Sequence, residues 1–432
     1  MADPYPIRPM GPEEFDAFYF VDEHAFHNRP LSPRRREQHL KQFESDRSLA
    51  AFDGNSPAGI AGIYSLRMSI PGAIVPAAGV TWVAVLPTHR RRGVMSSLMH
   101  RQLRDIRDRG EALAVLWASE GGIYGRFGYG IASWHTAIRM KRGEGTLGRN
   151  GLATAAEPGL RLRIAEPGSV RAELGKIYDT VLPTRPGMYA RDELWWNRAL
   201  ETGEDSEPEG APGDVLRCLI AEDGSGPRGY ALYTAQSRWD EATFLADSSL
   251  DIRELVAAGP AAAATIWADL LSRDLTTEFT AQRRPIDDPL VHLLADGRLT
   301  RRKLGDGLWA RLTELPKALS QRRYACPLDV TIEVTDTLFQ ENEGTWRLRT
   351  GTQDARGGLD GVPGLTATCE RHTGGTPDLT LDVAVLGAAY LGGTRLGSLA
   401  GAGQVTEHRP GAVLALSTAM SWEPAPWCPV IF

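Results

Sequence analysis

At 432 residues the chain exceeds what one ordinary hydrophobic core organises, and its length predicts two or three domains of roughly 100 to 200 residues each. Hydrophobic residues at 42% and charged residues at 24% lie near globular averages and exclude a disordered, collagenous or disulfide-scaffold chain. A formal net charge of −6 argues against a nucleic-acid-binding protein, which presents a strongly basic domain, but suits attraction of cationic small molecules.

Apolar stretches such as Leu379 to Leu391 are interrupted or too short to span a bilayer, and the start Met1-Ala2-Asp3-Pro4-Tyr5 lacks the basic and apolar regions of a signal peptide. A cytoplasmic protein with no membrane span is expected. Cys218, Cys326, Cys369 and Cys428 are scattered, with no Cys-x-x-Cys and no histidine spacing of a zinc site, so free thiols and no metal are expected.

In chain order, Leu49 to Phe52 and Gly59 to Met68 read as strands around the turn Asp53-Gly54-Asn55-Ser56-Pro57, the second leading through Pro71-Gly72 to another strand. The run Gly79 to Leu86 is rich in β-branched residues and stops at Pro87. From Val94 to Ile106, Val94, Leu98, Leu103 and Ile106, with Met95 and Met99, follow mostly helical spacing. The first domain is placed at 1–143. Gly143 to Gly159 has no period and reads as an interdomain linker, and Glu201 to Asp214 as a polar, flexible loop.

A second unit, 158–312, echoes the first. Gly229-Tyr230-Ala231-Leu232-Tyr233 resembles Gly59-Ile60-Ala61-Gly62-Ile63-Tyr64, and Ile252 to Ala258 feeds a helix from Pro260 to Leu271. Between them stands Ala258-Gly259-Pro260-Ala261-Ala262 with no arginine, so this unit is expected to be a structural copy without cofactor. In 315–432, Val330 to Val334, Trp346 to Arg349 and Leu379 to Val385 look like strands, while Val385 to Leu391 and Arg395 to Leu399 look helical. The whole reads as α+β, a mixed α/β chain.

The chemistry concentrates at Pro87-Thr88-His89-Arg90-Arg91-Arg92-Gly93-Val94-Met95, where a strand turns into a helix. A helix start offers unpaired N–H groups and a positive dipole end, Gly93 lets the backbone approach closely, and the arginines add charge-assisted hydrogen bonds. Basic residues at a helix start are unfavourable unless an anion compensates them, which points to a phosphate or pyrophosphate site.

Val83 to Leu86 followed by Arg90-x-x-Gly93 resembles the acyl-CoA motif of GNAT acetyltransferases, Gln/Arg-x-x-Gly-x-Gly/Ala, with Met95 at the final small position. Pro87 to Gly93 and Ala118 to Gly130 (ASEGGIYGRFGYG) resemble the Eis (enhanced intracellular survival) acetyltransferases of actinobacteria. The resemblance covers essentially the whole chain, with Asp288-Pro289-Leu290 and Asp306-Gly307-Leu308-Trp309 the clearest later anchors. It implies tandem GNAT folds followed by a sterol-carrier-protein-like C-terminal domain.

It further implies acetyl-CoA as cosubstrate. Val83 and Val85 would offer backbone groups to the pantetheine arm and thioester, Arg90, Arg91, Gly93 and Val94 would line the pyrophosphate, and Ser119 would be an additional contact. Tyr124 matches the family's general acid, and the terminal carboxylate of Phe432 would accept a proton or hold the amine. For a cationic amine acceptor, Asp22, Glu23 and Glu120 are candidate charges, and Phe20, Phe26 and Trp82 candidate apolar walls. Trp82 is the first tryptophan, so an aromatic lid from an earlier helix is not evident. The expected activity is N-acetylation of aminoglycosides or similar polyamines, at several positions in a roomy pocket, by a homohexamer. Protein-lysine or natural-product amine acetylation is the alternative, and a non-enzymatic carrier of an apolar ligand the reading from a different class.

Overall fold

A computed structural model describes residues 5–200, 215–351 and 364–432; the expected loop Glu201 to Asp214 lies outside the described residues. The strands are, in chain order, β1 (Ile7–Pro9), β2 (Leu49–Asp53), β3 (Ser56–Ile70), β4 (Ala73–Val85), β5 (Leu113–Trp117), β6 (Gly130–Ile131), β7 (Trp134–Lys141), β8 (Arg161–Ala165), β9 (Leu216–Asp223) and β10 (Gly226–Gln236). They continue as β11 (Ser248–Ala257), β12 (Thr276–Pro285), β13 (Lys303–Asp306), β14 (Leu308–Leu312), β15 (Asp329–Thr335), β16 (Gly344–Thr350), β17 (Ala367–Arg371), β18 (Leu379–Asp382) and β19 (Val405–Glu407).

Two units divide the chain. The first comprises Met1–Ser133, Gly307–Pro426 and Ile431–Phe432, the second Trp134–Asp306 and Trp427–Val430. The seven strands of the first unit's larger sheet run β1-β2-β3-β4-β5-β14-β6. All its pairings are antiparallel except β4 with β5, whose parallel contact covers only Ala78↔Ala114 and Gly79↔Val115. Beyond Gly79 the two strands are no longer paired. The helix Val94–Asp108 covers this sheet, burying Val94, Leu98, Met99, Gln102, Leu103 and Ile106. Burial of each aliphatic side chain contributes about 1.5–3 kcal/mol. The approach is close enough that a Cβ on Gly59 would stand 2.7 Å from Val94 Cγ1, which makes glycine a packing requirement there.

The first unit's five-stranded sheet has the order β17-β16-β15-β18-β19. The expected strand over Leu379 to Val385 ends at Asp382, because the Asp382 side chain accepts from Ala384 N and starts the apolar helix Val383–Ala389. This helix packs on the larger sheet through residues without bulk. A Cβ on Gly130 would lie 2.0 Å from Ala384 O, and one on Gly387 would lie 2.3 Å from Ala310 O.

The second unit's sheet is β13-β7-β12-β11-β10-β9-β8, with β11 and β12 its parallel pair. A boundary at residue 143 would leave β7 with the first domain, yet β7 pairs with β12 and β13; β14, from the far end of 158–312, pairs with β5 and β6. Strand pairing follows edge complementarity in space, which a boundary drawn from composition does not see. The expected linker 143–159 is likewise folded. It contains the helix Arg149–Ala155, Leu147 joins a core with Trp267, Leu270 and Leu293, and a Cβ on Gly151 would stand 2.2 Å from Leu293 O. Gly145 and Gly151 serve close packing, while Gly143 and Gly159 supply positive φ. Buried Arg191 and Glu254 form an ion pair in this unit, Arg191 Nη1 lying 3.0 Å from Glu254 Oε1. Trp427 is anchored by donating from its backbone N to Pro186 O at 2.8 Å and from Nε1 to Arg283 O at 2.6 Å.

Among the described residues no helix is long and apolar enough to cross a membrane. Among them, too, no cluster of three or more His, Cys, Asp or Glu could hold a metal, and all four cysteines are unbridged.

Candidate active site

Just past the point where β4 parts from β5, β4 carries a bulge. Ile60 pairs with Ala84 but Gly62 pairs with Thr81, so Trp82 and Val83 together oppose Ala61. Trp82 takes φ +55, a left-handed conformation rare for an aromatic residue and costing about 1–3 kcal/mol, of the kind that collects at functional sites. Its indole fits because Gly62 has no Cβ: one there would stand 2.9 Å from Trp82 Cδ1. Trp82 Nε1 donates to Tyr64 Oη at 3.0 Å, and Phe18, Tyr19 and His39 meet the ring edge-on at centroid distances of 6.0, 6.2 and 5.2 Å.

The helices bearing these partners supply the acceptor-side candidates. Phe15–Phe26 buries Phe15, Phe18, Val21 and Asp22 on one face, at helical spacing. Burial holds the Asp22 carboxyl up at about 6, although Asn28 Nδ2 donates to it at 2.9 Å and works in the opposite direction. Glu23 is half-buried, while Phe20 and Phe26 are exposed, with Phe20 on His24 at 4.0 Å, so neither Phe20 nor Phe26 joins the Trp82 cluster. His39, on the helix Pro33–Gln42, is the partner the sequence reading missed; a histidine on a strongly basic helix carries no apolar signal.

On the cofactor side, Val83 and Val85 are half-buried at the end of β4, and Pro87–His89 forms a short 3₁₀ turn. The three arginines then diverge. Arg90 Nη2 lies 3.5 Å from Ala25 O, and Arg92 Nη1 donates to Tyr5 Oη at 3.2 Å. Arg91, at φ +63, is exposed and makes no hydrogen bond or ion pair among the described residues. Gly93 takes φ +84 as the N-cap, and a Cβ there would meet nothing within 4 Å. The 15-residue helix it starts has no side-chain cap and no acid in its first turn. An uncapped helix start beside an unpaired guanidinium, with open space over a glycine, fits a pyrophosphate.

Tyr124, 5% exposed on the short helix Gly121–Tyr124, packs in one cluster with Ala78, Val80, Ala114, Leu116 and half-buried Val83. Burial raises its phenol above the ordinary range, the hydrogen bond with Ser119 offsets this in part, and the charge of Glu120 adds to the rise, so the phenol is protonated at neutral pH. Ser119 and Glu120 are themselves exposed, just beyond β5. Side chains alternate along β4, so Gly79 faces away from Ala78 and Val80. A Cβ on Gly79 would stand 3.2 Å from Phe432 Cε2, which brings the buried ring of the last residue to the point where β4 and β5 part.

The chain is similar to known proteins over most of its length. Residues 6–132 and 187–312 each match models of the acetyltransferase (GNAT) domain, and residues 315–429 match the sterol carrier protein domain. The N-acetyltransferase Eis of Mycobacterium tuberculosis is 32% identical over 84% of this chain and 83% of its own. The chain belongs to the Eis family of GNAT N-acetyltransferases. An uncharacterized N-acetyltransferase of Streptomyces avermitilis is 39% identical, over 98% of each chain. The crystal structure of Eis1 from Mycobacterium abscessus superposes with a TM-score of 0.80 at 31% identity, covering 99% of this chain and all of that one. Eis-type membership makes the protein an acetyltransferase, and its GNAT domains imply acetyl-CoA as the acetyl donor.

Proposed function

We propose that this Eis-family enzyme acetylates primary amines of aminoglycosides or similar polyamines, with the acceptor entering beside Trp82 and Asp22 and acetyl-CoA lying along Val83, Val85 and the Arg90–Val94 turn. The observation that carries this reading is the parting of β4 and β5 at Gly79, with buried Tyr124 packed near it and the Phe432 ring on the other face. Acetyl-CoA supplies an activated thioester. Arg91, Gly93 and the first-turn amides of Val94–Asp108 hold its diphosphate, and backbone groups of Val83 and Val85 align its arm. Asp22 and Glu120 attract the cationic acceptor, and Trp82 walls it. The Phe432 carboxylate takes a proton from the amine or positions it, and the Tyr124 phenol, kept protonated by burial, gives its proton to the departing thiolate. A cytoplasmic homohexamer belongs to the same reading, and light scattering showing a monomer would remove that part of it.

Incubation with acetyl-CoA and a panel of aminoglycosides, lysine peptides and simple polyamines, read by thiol release and product mass, tests the assignment. Mass gains of one or more acetyl groups on aminoglycosides are expected, while transfer confined to peptides would move the enzyme to protein-lysine acetylation. A retained apolar ligand with no acetyl transfer would favour a carrier. Tyr124→Phe should lower kcat by about 10²-fold or more with little change in acetyl-CoA affinity, as loss of a general acid does.

A further inference from the structure

Behind the bulge, the helix Val94–Asp108 carries a polar side chain that the proposed chemistry does not use. Gln102 is fully buried on a face otherwise built from Val94, Leu98, Met99, Leu103 and Ile106. A long amide in such a place is unfavourable unless both its ends are paired. One end is: Nε2 donates to Gly62 O at 3.0 Å. Gly62 stands where β3 shifts register against β4, next to the residue that Trp82 and Val83 together oppose, so the amide holds the strand against which the bulge is formed.

The other end, Oε1, has no protein partner among the described residues, and neither has Arg47 Nε. Arg47 is 5% exposed, and its terminal nitrogens are engaged by Ser65 and Glu111, so Nε is the donor left over. Both side chains line a cavity of about 10 Å³ with Leu49, Ile63 and Ile106. That is space for about one water molecule, and two lining residues that carry an unpaired acceptor and an unpaired donor can supply the polar partners a buried water requires. The charged groups that also line it are satisfied elsewhere: Asp46 by Arg109 and Asp105 by Arg101.

We propose that a single buried water bridges Arg47 Nε and Gln102 Oε1, and that Gln102, so held, is a positioning residue that fixes the Gly62 carbonyl and thereby the bulge presenting Val83 and Trp82. Its consequence for cofactor binding rests on the reading of β4 as the cofactor strand. The Gly62 carbonyl orients the amide with its N–H₂ towards itself, since the flipped amide would set two carbonyl oxygens against each other, and this leaves Oε1 to accept from the water. Gln102 thus acts on the cofactor through the geometry of Val83, without touching it.

A crystal structure of the full chain at roughly 1.5 Å or better should show one ordered water within hydrogen-bond distance of both atoms. A dry cavity overturns the proposal. Gln102→Met keeps length and apolar volume but removes both amide functions. Its KM for acetyl-CoA should rise about tenfold while kcat changes less than about threefold. Leu270→Val, in the core of the second unit, serves as a destabilised control whose KM should be unchanged. If Gln102→Met loses melting temperature but keeps the wild-type KM, Gln102 is a packing residue only and the positioning role falls. If Gln102→Met does not fold, the crystallographic water alone decides. Should the wild-type chain bind no acetyl-CoA by calorimetry, the cofactor reading fails while the water remains decided by the crystal.

Discussion

Asp22 is a carboxyl group that the fold buries with no ion-pair partner among the described residues. Burial lifts it to about 6, and the Asn28 amide only limits the rise. Because the folded value lies above the unfolded one of about 3.9, the protonated form is favoured by folding. That contribution is complete below pH about 4 and is lost as pH rises through about 6. At pH 7 the group is therefore charged at a cost to stability, and Asp22→Asn should stabilise the protein by about 1–3 kcal/mol at pH 7, with no gain near pH 4, measured by denaturant unfolding. Under the proposed function the same charge recruits the acceptor. The wild-type kcat/KM for a polycationic amine should then fall on the acid side with a midpoint near 6, a limb that Asp22→Asn should lack. Arg91 is the complementary case. It makes no hydrogen bond or ion pair among the described residues, so Arg91→Ala should leave the melting temperature unchanged yet weaken acetyl-CoA binding by about 10- to 100-fold, the worth of one charge-assisted hydrogen bond, as calorimetry would show.

At the scale of elements, the strand, basic turn and helix from Gly79 to Ile106 form where the sequence predicts them, because each signal is local: β-branched residues, a proline stop, then apolar residues at helical spacing. Gly93 serves two local needs, its φ of +84 and the open space above it. Gly93→Ala should cost only about 1–2 kcal/mol of stability, since the new methyl meets no atom, but should raise the KM for acetyl-CoA disproportionately because that methyl enters the proposed diphosphate site. Urea unfolding set beside initial rates separates the two effects. The segment 143–159 shows where local signals fail. Its glycines read as a linker, but Gly151 is glycine because Leu293 O lies where a Cβ would be, a contact across more than a hundred residues of chain.

At the scale of the molecule the decisive feature is strand exchange. β14, at the end of the second GNAT match, supplies the strand between β5 and β6, while β7, just past the end of the first match, pairs within the second unit's sheet. A chain cut to residues 1–143 would expose the β5 edge and lose buried Leu308, Ala310 and Leu312 together with the Arg311–Asp336 ion pair. It should aggregate or remain unfolded by circular dichroism, and a cooperative, soluble 1–143 fragment would show that the exchanged strand is dispensable.

The amino-acid sequence by itself determined the strand, basic turn and helix around Gly93, because each is written in contiguous residues with its own periodicity, and through its resemblance to a family it carried the succession of two GNAT-like units and a sterol-carrier-like region. Tertiary structure alone decided which sheet owns β7 and β14, that Arg90 and Arg92 are drawn to Ala25 and Tyr5 while Arg91 is left exposed, and that Gln102 reaches Gly62 behind the bulge. Those outcomes depend on which distant edges and buried polar atoms meet once the chain collapses. A residue's neighbours in sequence carry no record of that.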